Sequence, residues 1–376
     1  MIALRTTRFE VGALAVGVVG VAACLGGLAG DRGALALSYL AAYLFWSGVS
    51  IGALALVMIH RLTGGQWGEA IRRPLSAAIR ALPLAALLFV PIAVALSTLY
   101  VWARPDVLAA SELLQKKTWY LNVPFFFGRA AIYFIVWIGL GLVLVRRSAV
   151  RGDRALGRWS AAGLILYAIT TSFAAVDWFM TLLPEWYSSI FGMLVGVGDA
   201  LSALAFAIVA AIVLPGADAR RAEPKVRRDL GNFLLMLVLL WAYLAFMEYL
   251  TIWAGNQPHA IAWYVPRVET QWRWLGVFLM LFHFLVPFLL LLSRRAKASV
   301  PVLCGIAAWM LFAHWADTIW MVIPSIDTDG LRLRWSDAAA VIGIGGLWLA
   351  AVAWQWRVIG PPAPLPAGAA RGDRHG

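Results

Sequence analysis

Leu35–Ile59, LALSYLAAYLFWSGVSIGALALVMI, runs for 25 residues without a charged side chain. At about 1.5 Å rise per residue, such a run wound as a helix is long enough to cross the roughly 30 Å hydrocarbon core of a bilayer. Working outward from it, nine more apolar runs of similar length follow the same reading, at 11 to 30, 79 to 101, 124 to 146, 159 to 182, 187 to 214, 230 to 254, 271 to 293, 299 to 323 and 336 to 357. The predicted fold class is all-α: a polytopic membrane protein with ten transmembrane helices. Composition agrees. The 376 residues are 62% hydrophobic and only 13% charged, with a mean hydropathy of +0.80, which is too apolar for a soluble globule.

The net charge of +12 would suit a nucleic-acid binder, but its distribution does not. Of the 31 Lys and Arg, 22 fall on the termini and alternate connections of one side, eight on the other side, and Arg129 inside a run. That asymmetry orients membrane proteins, because positive loops remain in the cytoplasm. It predicts cytoplasmic N- and C-termini in a cell inner (cytoplasmic) membrane and an even number of spans, with no nucleic-acid partner. Cys24 and Cys304 both lie within runs, leaving nothing for a disulfide framework, a zinc site or an iron–sulfur cluster, so no metal centre of the chain's own is expected. Arg5 and Arg8 precede an apolar run ending in Val21-Ala22-Ala23-Cys24, which has the look of a lipoprotein cleavage box; Glu10 and the apolar residues beyond Cys24 favour an ordinary first span.

Two four-helix units are expected, 35 to 182 and 183 to 323, preceded by an N-terminal helix within 1 to 34 and followed by a last helix within 324 to 358. Each unit carries a long connection after its second helix, at 102 to 123 and 255 to 270, and an acid beside a tryptophan on its fourth helix, Asp177-Trp178 and Trp315-Ala316-Asp317. Four helices per copy implies parallel repeats. Residues 107 to 119 suit a surface helix, the basic linker 215 to 229 an orienting loop, and the Pro- and Gly-rich tail 359 to 376 a disordered segment. Trp102, Trp119, Trp186, Trp263, Trp272 and Trp274 stand near run ends, where amphipathic rings favour the membrane interface.

Seven ionisable residues sit inside the apolar runs: Arg129, Asp177, Asp199, Glu248, His283, His314 and Asp317. Each would cost roughly 2.5–3.5 kcal/mol at the centre of a lipid-facing helix, so such residues turn inward and carry protons, ions or ligands. Chain direction places Asp177, Glu248, His314 and Asp317 in the outer third, Arg129 and Asp199 in the outer half, and His283 near the midplane. Thr170, Asp177 and Thr181 share one helix face, as do His314 and Asp317. Pro287 removes the hydrogen bond to the His283 carbonyl and predicts a distortion there. The two embedded histidines are expected at different depths, which argues against a b-type haem. Interhelical packing is the plain alternative for each of these polar groups.

The run Ser172, Asp177-Trp178, Met180, Leu182, Pro184, Trp186-Tyr187-Ser188-Ser189, Phe191-Gly192 resembles ActF-type membrane subunits of alternative complex III, a bacterial quinol:cytochrome c oxidoreductase, within the wider NrfD or polysulfide-reductase membrane-subunit family. So do Trp241-Ala242-Tyr243, Phe246, Glu248-Tyr249-Leu250, Ile252-Trp253, Asn256 and Pro258, and the stretch from Pro287-Phe288 through Leu292-Ser293-Arg294 to Lys297. Where family members often carry an acid just after the proline, this chain has His259-Ala260.

The resemblance implies an electron-transport subunit whose partners are a multihaem cytochrome, an iron–sulfur protein and a paired larger NrfD-like subunit. It implies a quinone (menaquinone or ubiquinone) as substrate and no haem or iron–sulfur cluster of its own. The seven embedded residues are then candidates for a proton path or quinol pocket opening to the outer side. Two other readings are a proton-coupled small-solute transporter, prompted by the repeat and Arg129, and a purely structural membrane anchor.

Overall fold

The computed structural model describes residues 2–27, 30–147, 154–214, 222–332 and 334–359. Among the described residues, ten helices are long and apolar enough to cross a membrane: α1 Thr7–Gly27, α2 Arg32–Thr63, α3 Gln66–Val94, α4 Val123–Val145, α5 Ala155–Leu182, α6 Phe191–Val213, α7 Pro224–Gly255, α8 Arg273–Leu292, α9 Val300–Ser325 and α10 Trp335–Ile359. No strand occurs among the described residues. The protein is an all-α, multi-pass membrane protein. The expected disordered tail lies outside the described residues, apart from Ile359, as does the linker up to residue 221.

Local chemistry sets the helix ends. Asp31 caps α2 by accepting from the Ala34 N–H at 2.9 Å, and Gly64, at φ 71°, closes it with an N–H donated to the His60 carbonyl. Asn256, in the left-handed region at φ 44°, ends α7.

Three elements differ from the sequence reading. The span α3 begins at Gln66 rather than 79, because Gln66–Arg80 is an amphipathic helix that buries Ile71, Leu75, Ala77 and Ala78 while Arg72 is left half-exposed. Its composition looks like a loop only when its two faces are averaged. The single surface helix expected over 107 to 119 is two short helices, Pro105–Ala110 and Glu112–Lys116, divided where Ser111 caps the second. The basic linker is already helical from Pro224.

The helix α1 runs antiparallel to α10 along a seam of glycines. A Cβ on Gly346 would lie 2.4 Å from the Gly17 nitrogen, and one on Gly20 would lie 2.5 Å from the Gly343 Cα. Small residues let backbones approach where lipid gives no hydrophobic drive for association. Arg357 pairs with Glu10 at 3.2 Å, and Arg73 donates to the Trp356 carbonyl at 2.7 Å. The start of α1, the end of α10 and the start of α3 therefore share one face of the bundle; the connections 95–122 and 256–272 cover the opposite, distal face.

The helix α2 is the most deeply enclosed element together with α6, and the two meet through Gly48 and Gly52. A Cβ at position 52 would stand 2.1 Å from the Asp199 backbone oxygen. Gly52→Leu is expected to cost about 1–3 kcal/mol by forcing the two backbones apart. The loss should appear as a lower melting temperature in detergent; an unchanged temperature would contradict this close crossing.

Candidate functional site

All seven embedded ionisable side chains are buried, from 0% exposed for Asp177 and His283 to 8% for Asp199. None faces the outside of the bundle. They fall into separate groups rather than one cluster.

The first group joins α4 to α5. Arg129 donates from Nε and Nη2 to the two oxygens of Asp177, both at 2.8 Å, and its Nη1 donates to the Tyr120 carbonyl at 3.0 Å. Tyr133 adds its hydroxyl to Asp177 at 2.7 Å. The guanidinium lies over the Tyr120 ring at 3.8 Å and the Phe125 ring at 4.3 Å. This two-pronged pairing is the geometry in which arginine binds a carboxylate most strongly. The polar stripe expected on α5 is divided among local partners: Thr170 accepts from Trp137 Nε1 at 3.0 Å, and Thr181 donates to the Asp177 carbonyl at 2.6 Å.

The second group joins α7, α8 and α9. His314 Nδ1 lies 3.5 Å from Asp317 Oδ2, one helical turn away. Trp241 of α7 donates to the same oxygen at 3.0 Å, and its ring meets His283 edge-on with centroids 4.0 Å apart. The rings of His283 and His314 are 5.9 Å apart, so the two imidazoles meet where α8 faces α9. Residues Leu279–Leu285 form a π-helical turn just before Pro287, at the place where the missing proline N–H disturbs the ladder. The nearest available ligand atoms of His283, His314 and Asp317 all lie within 4.8 Å of one another.

Glu248 of α7 accepts from the Ser188 hydroxyl at 2.6 Å. The same serine oxygen accepts the N–H groups of Ile190 and Phe191, so it anchors the start of α6 as well. Asp199 of α6 lines a cavity of about 20 Å³ with Ser47, Trp137 and Thr171, a size that admits roughly one or two waters. Its neighbour Gly198 lies against the His314 ring, where a Cβ would come within 2.4 Å. Asp199 thus lines the cavity one residue from the glycine that meets the second group.

A wider cleft of about 410 Å³ opens at the distal face, lined by Lys117, Tyr120, Thr181, Pro184, Tyr187 and Ser188 among others. Lys117 donates to the Pro184 carbonyl at 2.6 Å, and partial burial pushes its ammonium below the ordinary lysine value against the opposing influence of Glu185. His259, which stands where the resemblance leads one to expect an acid, stacks on Tyr187 at 5.4 Å.

Sequence reasoning missed Arg267. It is 1% exposed and donates to the carbonyls of Trp263, Trp320 and Met321 and to the Ser325 hydroxyl. Nothing in its local sequence separates it from a solvated loop arginine. Four of the six tryptophans expected at the interface, Trp102, Trp186, Trp263 and Trp272, are buried in the distal end instead, whereas Trp119 and Trp274 are exposed. Proximity to a helix end fixes the depth of a ring and leaves its direction open.

Chemically, the interior offers, among the described residues, carboxylates and imidazoles that can hold and exchange protons, one neutralised Arg–Asp pair, and one set of three metal-compatible donors. No family model matches the chain, and no curated protein is similar to it.

Proposed function

We propose that this chain is an integral membrane subunit of a respiratory quinol:cytochrome c oxidoreductase, in which Glu248 and Asp199 take up and pass on protons released when quinol is oxidised. The observation that carries the reading is the inward placement of every embedded ionisable residue, with Glu248 bonded to a hydroxyl and Asp199 beside a water-sized cavity. Neither carboxylate has a guanidinium fork like the one that holds Asp177. The resemblance of the 172–192 and 241–258 stretches to ActF-type subunits supports the assignment to alternative complex III.

Quinol oxidation yields electrons and protons together. The electrons leave through haem and iron–sulfur partners, so this chain's task is the protons. Ser188 positions the Glu248 carboxylate near the distal cleft, which suits a first acceptor. Asp199, farther along α6, suits a relay through water in its cavity. The basic excess on the face where α1 begins and α10 ends supports reading that face as cytoplasmic and the distal face as periplasmic, in an inner membrane.

Arg129, which would have served a solute carrier as its anion-binding charge, is already engaged by Asp177. That leaves the internal repeat as the remaining ground for a transporter. The saturated Arg129–Asp177 pair instead favours an anchoring role for that one group.

The test is the assembled complex, purified with its partners. Glu248→Gln and Asp199→Asn are each expected to lower quinol-driven cytochrome c reduction, or the proton release that accompanies it, by about 10²-fold, the usual weight of a proton-transfer group. Unchanged rates and proton yields in both variants, or purification of the chain without cytochrome and iron–sulfur partners, would overturn the proposal.

A further inference from the structure

The second buried group holds more polar capacity than its neighbours satisfy. His283 is 0% exposed, and neither Nδ1 nor Nε2 has a hydrogen-bond partner among the described residues; His314 Nδ1 is also without one. An imidazole has one nitrogen that donates and one that accepts, and leaving both unmet in a dry interior costs free energy at each atom. A His314–Asp317 ion pair would account for those two residues. It leaves His283 unexplained.

One occupant satisfies all three side chains at once. We infer that His283, His314 and Asp317 bind a single divalent first-row transition-metal ion, of the zinc or iron(II) class. Two imidazoles and a carboxylate are the donor set these ions favour, and three protein ligands leave a further position for water. The donor atoms lie within 4.8 Å of one another; tetrahedral bonds of about 2.0–2.1 Å would bring them to roughly 3.4 Å, a contraction that small ring and carboxylate rotations supply.

The surroundings are arranged as metal sites require. Trp241 Nε1 donates to Asp317 Oδ2 at 3.0 Å, which orients the carboxylate with that oxygen 3.5 Å from His314 Nδ1. His314 and Asp317 face the same side at i and i+3 on α9, and the π-helical turn of α8 carries His283 toward them. Gly198 provides the space in which the His314 ring lies. Charge balance also favours occupancy, because a divalent ion with one carboxylate and a bound hydroxide is neutral overall, which suits a low-dielectric interior.

The proposal does not depend on quinol chemistry and is tested without turnover. Zinc, and iron in excess of that accounted for by haem and acid-labile sulfide, is measured on the purified complex as isolated, and again after chelation, soaking with zinc and removal of unbound ion. About one ion per chain is expected in at least one of these states, falling at least tenfold in His283→Gln and in Asp317→Asn. Less than roughly a tenth of an ion per chain in both states would overturn the site in favour of trapped water. So would zinc retained at full stoichiometry by the two variants. If the variants fail to accumulate, competition of cobalt(II) for zinc in the unsubstituted protein decides: a ligand-field spectrum of imidazole–carboxylate type supports the site, and the spectrum of aqueous cobalt alone overturns it.

Discussion

Arg129→Leu is expected to destabilise the folded chain by about 3–5 kcal/mol, the usual cost of removing one partner from a buried ion pair. The loss comes less from the contact itself than from what remains. Asp177, fully enclosed, would keep only the Tyr133 hydroxyl of the three side-chain bonds its carboxylate now accepts. It must then either stay charged in a dry site or take up a proton, and both options cost free energy. Asp177→Leu should be comparably damaging, because it strands the guanidinium among Tyr120, Phe125 and the helix backbones. The double variant, Arg129→Leu with Asp177→Leu, is expected to recover most of the loss, since two apolar side chains of suitable volume can replace a buried pair with little penalty. Thermal unfolding of the four proteins in one detergent gives the coupling energy directly. Single substitutions that cost less than about 1 kcal/mol would show that the pair is solvated and its forked geometry of little consequence. The same double variant bears on function: if it still supports quinol oxidation and proton release in the complex, Asp177 fixes α4 to α5 and carries no proton.

The division between an acid held in an ion pair and acids without one could not be read from the chain alone. The spans were legible because hydropathy is a property of composition, and ten runs of adequate length leave little freedom in the count. Inward burial of all seven charged residues was legible too, since lipid penalises any other direction. Partner choice was legible only where the partners share a helix, as His314 and Asp317 do. Arg129 and Asp177 are 48 residues apart, and only the packing of α4 on α5 identifies them as a pair. The meeting of His283 with His314 had a partial signal in Pro287, which marked the distortion of α8 without giving its direction. The start of α3 was lost for the opposite reason: Arg72, Arg73 and Arg80 outweigh the buried face when a window is averaged, although a periodicity of 3.6 separates the two faces.

Arg267 lies farthest from anything the sequence announces, and its replacement should be nearly as costly as that of Arg129. The short helix Val265–Glu269 brings it against the end of α9, where it donates to the Trp320 and Met321 carbonyls. Those carbonyls carry the negative end of the helix dipole, and a guanidinium is the side chain best able to meet several of them together. The Trp263 ring, 3.6 Å from the guanidinium carbon, completes the enclosure. Arg267→Met keeps much of the stem's bulk and removes every donor, leaving up to four acceptors unmet; a loss of about 3 kcal/mol is expected, in line with charge-assisted bonds of roughly 1.5–3 kcal/mol that compete with one another. Arg267→Lys should recover part of it, because an ammonium reaches fewer of the diverging acceptors. Hydrogen exchange provides the local reading: amides of residues 256–272 and of the end of α9 should exchange faster in Arg267→Met, while those of α2 and α6 remain protected. If instead the melting temperature stays put and exchange is unchanged across the distal connections, those carbonyls are met by water and the arginine is dispensable. A positive result has a consequence for the proton reading, because the connection that Arg267 holds down also packs Trp263 on Trp186, two residues from the Ser188 that positions Glu248. Loosening it should therefore lower proton transfer through Glu248 without touching the carboxylate, and Arg267→Lys should restore activity in step with stability.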